Sequence, residues 1–103
     1  MRRIKVYNFG KFAGWLEEKV KGNSYKFIYD ANYKGAAISL TMPVEQKEFE
    51  YAEFPSFFDG LLPEGMQLEN LLRLTKSDRD DYLTHLITVG NDLVGSVTVE
   101  EEF

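Results

Sequence analysis

A chain of 103 residues that is 44% hydrophobic, 15% aromatic and 28% charged holds enough apolar surface for one core, is too short for two, and is too rich in Phe and Tyr for disorder. It contains no cysteine, which excludes a disulfide framework, a thiolate nucleophile and a zinc site built on sulfur. Its net charge of −5 is uneven, with nine Lys/Arg against six Asp/Glu over residues 1–50 (+3) and three against eleven over 51–103 (−8), and no concentrated basic face of the kind a nucleic-acid backbone requires.

The first half has the period of strands. Ile4 and Val6 alternate with Arg3, Lys5 and Tyr7. Asn8 to Lys11, with Gly10, predicts a turn into a second strand over Phe12 to Val20. Gly22-Asn23 then predicts a hairpin into Ser24 to Asp30, where Tyr25, Phe27 and Tyr29 share a face. Ile38, Leu40 and Met42 alternate again until Pro43 ends the ladder or marks an edge. Val44 to Glu53 is charged and reads as a connection, with a short extended piece at Phe49 and Tyr51.

The period then lengthens. Phe54, Phe57, Phe58, Leu61 and Leu62 form one helical stripe, with Pro55 suited to its first turn, Gly60 weakening it and Pro63 at its end. Leu68, Leu71 and Leu72 form a second stripe within Glu64 to Lys76. Ser77 or Asp78 would cap a third helix, with Asp80 and Asp81 at its positive end, Tyr82, Leu86 and Val89 facing inward and Gly90 stopping it. Val94 to Glu100 predicts a closing strand. The whole of 1–103 is therefore expected to be one α+β domain, a small, mainly antiparallel sheet with two or three short helices. Apolar runs are only a few residues long, far short of the roughly 20 a membrane span needs. No signal-peptide stretch follows the charged N-terminus, so a cytoplasmic protein is expected. The acidic second half reads first as a solvated helical face.

Catalytic chemistry finds little to build on. The single histidine, His85, has Asp81 four residues before it but no H-x-x-E or H-x-x-x-E partner, so a metal site would be incomplete and a structural or surface role is expected. No G-x-x-x-x-G-K-[ST], G-x-G-x-x-G, H-x-D or D-F-G motif occurs, which removes the parts of a phosphoryl-transfer machine. Gly90 to Gly95 has the spacing of a phosphate loop but continues with Ser96 instead of Lys, and reads as a helix-stop turn. Trp15 reads as a core or sheet-face residue. A non-enzymatic binding module without cofactor or metal is expected.

The most informative stretch is Phe57 to Gly65, F-F-D-G-L-L-P-E-G: an aromatic helix face, then a Pro-bounded break that would project Glu64, Gly65 and Met66 as a contact surface. This stretch closely resembles the signature near the start of HipA-family serine/threonine kinases. Ser39-Leu40-Thr41-Met42-Pro43 upstream and Gly90-Asn91-Asp92-Leu93-Val94-Gly95-Ser96-Val97 downstream fit the same pattern in the same order. The resemblance runs from about residue 4 to 100. It implies the non-catalytic N-terminal subdomain of that family, a small sheet with helices.

A HipA kinase continues well beyond this region, whereas this chain stops at Phe103, and so it resembles the detached N-terminal piece of three-gene HipBST toxin–antitoxin systems. There HipT is a shortened kinase lacking this region, aimed at aminoacyl-tRNA synthetases, and HipB is a helix-turn-helix DNA-binding protein. The resemblance implies an antitoxin that binds and inhibits a HipT-like kinase, joins HipB in a ternary complex and meets DNA only through it, with no membrane role. The alternatives are a non-inhibitory structural subunit of a transcription-repressing complex and an activator of the kinase. The expected contact residues are Leu62, Pro63, Glu64, Gly65, Met66, Gln67 and Leu68, with Asn91 and Asp92 as a second surface.

Overall fold

Alternation of apolar and polar residues puts one face of each strand into a core, and in the computed structural model this ordering produces a single sheet. The structure describes residues 2–20, 23–62, 65–75, 81–90 and 95–102, with backbone alone for 65–67 and 75. Its elements are β1 (Arg2–Asn8), β2 (Lys11–Val20), β3 (Ser24–Tyr29), β4 (Glu48–Tyr51), α1 (Ser56–Asp59), α2 (Gly65–Thr75), α3 (Tyr82–Thr88) and β5 (Val97–Glu101). The five strands lie in the order β4-β3-β2-β1-β5, every neighbouring pair antiparallel. The α+β class expected from the sequence is the class observed.

Register follows burial. Ile4 faces Leu16, Leu16 faces Phe27 and Phe27 faces Phe49, while Val6 faces Val99 on the other side of β1. All six of these partners are buried, so a one-residue slip would turn the row to solvent. Phe58 of α1 and Leu83 and Leu86 of α3 close over this face, joined by Tyr33, Ile38 and Met42 from the long connection between β3 and β4. The β1–β2 hairpin turns on Phe9 (φ 52°) and Gly10 (φ 78°), the two successive positive values of a type I′ turn.

Four expectations change. Residues 38–42 are no strand: an isolated Ser39–Met42 bridge closes a tight turn. Ile38 and Met42 point into the core while Leu40 stands fully exposed. The edge position goes instead to β4, the short extended piece at Phe49 and Tyr51. The Phe54–Leu62 stripe is one helical turn, because at Gly60 the chain passes into tighter i→i+3 bonds, Leu61 N to Phe58 O (3.0 Å) and Leu62 N to Asp59 O (3.1 Å). In α3 the buried side chains are Leu83, His85 and Leu86; Tyr82 and Val89 are half-buried. Its N-cap is Asp81, whereas the expected caps Ser77 and Asp78 lie outside the described residues, as does Val94.

Candidate functional site

The expected contact segment follows from how α1 gives way to α2. Pro55 (φ −59°) starts α1 without needing an N–H, and the turns after Asp59 carry the chain to Leu61 and Leu62, both half-buried against the core. Gly65 to Leu68 then form the first turn of α2, in which Leu68 is half-buried, Leu71 is buried and Leu74 faces solvent. Leu62 and Leu68 therefore flank the junction between the two helices. Pro63, Glu64, Asn91 and Asp92 lie outside the described residues, as do the side chains of Met66 and Gln67, and of Gly65 the backbone is described.

At the start of α1 the structure brings together residues that no sequence spacing links. Tyr82 of α3 stacks on Phe54 just before α1, with centroids 4.8 Å apart and planes 16° apart. Phe54 is backed in turn by Tyr25 of β3 (5.3 Å) and Phe58 (6.4 Å). The sequence signal was present only as separate aromatic positions.

The sheet face turned away from the helices holds a different cluster. Tyr7, Phe12 and Trp15 meet edge to face, at 5.7 and 4.9 Å. The Arg3 guanidinium lies 5.1 Å from the Trp15 ring centroid and donates to Glu102, which also accepts from Trp15 Nε1 (3.1 Å). The hydrogen bond from Arg3, supported by that from Trp15, holds the Glu102 carboxyl below its ordinary value, and the same bond raises Arg3. Trp15 is thus the sheet-face residue the sequence allowed.

His85 is 1% exposed, and its Nε2 finds no hydrogen-bond partner among the described residues. Of the structural and surface placements the sequence allowed, the ring takes the enclosed one. No group of three or more His, Cys, Asp or Glu side chains among the described residues is placed to hold a metal ion. No described helix is long and apolar enough to cross a membrane.

Comparison with known proteins gives a consistent match. The family model described as HipA N-terminal domain covers residues 4–100. An uncharacterized protein of Haemophilus influenzae is 31% identical over 102 residues, which span 99% of this chain and 94% of that protein. A solved structure described as the N-terminal domain of HipA toxin superposes with a TM-score of 0.80 at 28% identity, covering 100% of this chain and 94% of that one.

Proposed function

Because this chain belongs to the HipA N-terminal domain family, we propose that it is a HipS-like antitoxin that binds a HipT-like serine/threonine kinase and inhibits it. The observation that carries the reading is the end-to-end likeness to a domain of a toxin, over 100% of this chain at a TM-score of 0.80. The Haemophilus influenzae relative supports the detached form, since this domain fills 94% of its length. In this reading the chain acts by covering or reshaping the kinase it binds. In this reading the protein works in the cytoplasm, a HipB-like helix-turn-helix protein completes a ternary complex, and DNA is met only through that subunit.

The proposed contact surface is Leu62 to Leu68, with Glu64 engaging a basic residue of the kinase cleft and Met66 an adaptable apolar contact. Asn91 and Asp92 form the second surface. Interfaces depend on a few such anchors, so the Glu64→Gln, Met66→Ala double variant should inhibit about tenfold less well or worse while folding normally. Undiminished inhibition by the folded variant removes this site assignment.

The test of function is phosphotransfer by the purified cognate kinase with this protein titrated in and complex formation followed in parallel. Activity should fall in step with the complex. A stable complex with unchanged activity would instead make the chain a structural subunit, and a rise in activity would make it an activator.

A further inference from the structure

Beside α1 lies an open cavity of about 440 Å³, walled by Asn23, Glu53, Phe54, Ser56, Asp59 and Tyr82. A second hollow of about 410 Å³ shares Glu53, Phe54 and Ser56 and continues to Glu50, Tyr51 and Pro55, so the two adjoin as a groove along residues 53–56. Among the described residues, no Lys, Arg or His walls either part. Glu53 and Asp59 are exposed and form no ion pair among the described residues. That sets them apart from Glu17, Glu48, Glu50, Glu101 and Glu102, each of which is matched to an Arg or Lys of this chain. Among the described residues the groove thus holds two negative charges with no matched cation, in a half of the sequence that sums to −8.

Charge alone would accept any cation; the aromatic wall is selective. The Phe54–Tyr82 stack, backed at Phe54 by Tyr25 and Phe58, puts aromatic rings in the wall that Glu53 and Asp59 share. The Tyr82 hydroxyl has no partner among the described residues and adds an acceptor. A planar guanidinium can lie on a ring while its N–H fork donates to carboxylates, whereas a lysine ammonium is a compact, strongly hydrated point charge that does not match this geometry. A bare metal ion would lack a third acidic ligand among the described residues.

We propose that this groove is a docking site for an arginine-bearing basic segment of the kinase partner. The proposal rests on the kinase-binding reading above and extends it, since α1 leads from the groove directly into Leu61 and Leu62 at the edge of the proposed contact segment. The groove adds what that segment lacks in the sequence reading, a charge-selective socket built from α1, α3 and the β2–β3 turn.

Two titrations test it. In the first, the full chain is mixed with a hexa-arginine peptide and, separately, a hexa-lysine peptide, followed by NMR shifts of the Glu53, Asp59 and Tyr82 signals. The arginine peptide should bind saturably and at least about tenfold more tightly, and the Glu53→Gln, Asp59→Asn double variant should abolish that preference. Both side chains are on the surface, so the variant should fold as the parent does, which circular dichroism checks. In the second, the same variant is bound to the cognate kinase, where it should lose about tenfold in affinity and show a weaker salt dependence. Equal binding of the two peptides, or an unchanged kinase affinity and salt slope in the variant, overturns the groove while leaving the antitoxin reading intact. Failure of the unmodified chain to bind the kinase removes the functional reading instead, and the peptide titration then decides the groove by itself.

Discussion

Gly14 is the position at which β2 and β3 depend on one hydrogen atom. A Cβ there would lie 2.0 Å from the Ile28 carbonyl oxygen and 2.9 Å from the Tyr29 Cα, both backbone atoms that cannot swing aside. Gly14→Ala should therefore force the strands apart and cost about 3 kcal/mol, a fall in Tm of about 10–20 °C for a domain of this size, read by far-ultraviolet circular dichroism. A Tm within a few degrees of the parent would mean the strand spacing is not fixed there. Phe9 poses the opposite case. It holds a left-handed conformation (φ 52°) with a bulky side chain that is 75% exposed, so little burial offsets the strain. Phe9→Asn makes the turn Asn-Gly, which favours the type I′ geometry, and should raise stability by about 1 kcal/mol, a Tm gain of about 4–8 °C.

Among elements, the segment 38–42 shows how a period of two can arise without a strand. Its backbone is held by the buried Tyr29 hydroxyl, which donates to the Met42 carbonyl (2.5 Å) and accepts from the Ile38 N–H (3.0 Å). Ser39 Oγ accepts from the Thr41 N–H and meets the Thr41 hydroxyl at 3.0 Å, so the turn's polar groups are satisfied locally. Tyr29→Phe would strand two buried backbone groups. It should cost about 2 kcal/mol and speed amide hydrogen exchange at Ile38 well before global unfolding; unchanged exchange there would show that the hydroxyl does not hold the turn. The same segment explains a misreading. Ile38 and Met42 were legible as inward-facing, but a side chain arriving from β3 decided that they belong to a turn. Likewise Gly60 was legible as a weak point in its helix, while the switch to i→i+3 bonds after Asp59 depended on docking Phe58 beneath the sheet.

For the molecule as a whole, Glu102 ties the end of the chain's last strand back to the first two. It accepts from Arg3 on β1 and Trp15 on β2. With its carboxyl held below the ordinary 4.5 in the folded protein, the unfolded chain takes up a proton there first as pH falls. The stability this link contributes is therefore present above about that pH and is lost as pH drops through the lowered value. Thermal unfolding from pH 7 to pH 3 should show Glu102→Gln losing less stability on acidification than the parent; parallel curves would mean the link contributes nothing. Trp15, the single tryptophan, should report the parent's titration in its fluorescence.

By itself the sequence determined the class of this protein and which residues face inward along β1, β3 and the start of β5, because a sheet with one covered face enforces alternation through Ile4, Val6, Phe27, Val97 and Val99. It also carried the three ordered motifs that mark the HipA N-terminal domain, a likeness borne out over residues 4–100. Only the tertiary structure decided which of the short apolar runs became the edge strand, that His85 is enclosed, and that Tyr82, Asn23 and Glu53 wall one groove. The edge pairing and the groove bring together residues 20 to 59 positions apart in the chain. Local spacing cannot encode such contacts, because they form only after the sheet and helices have packed together.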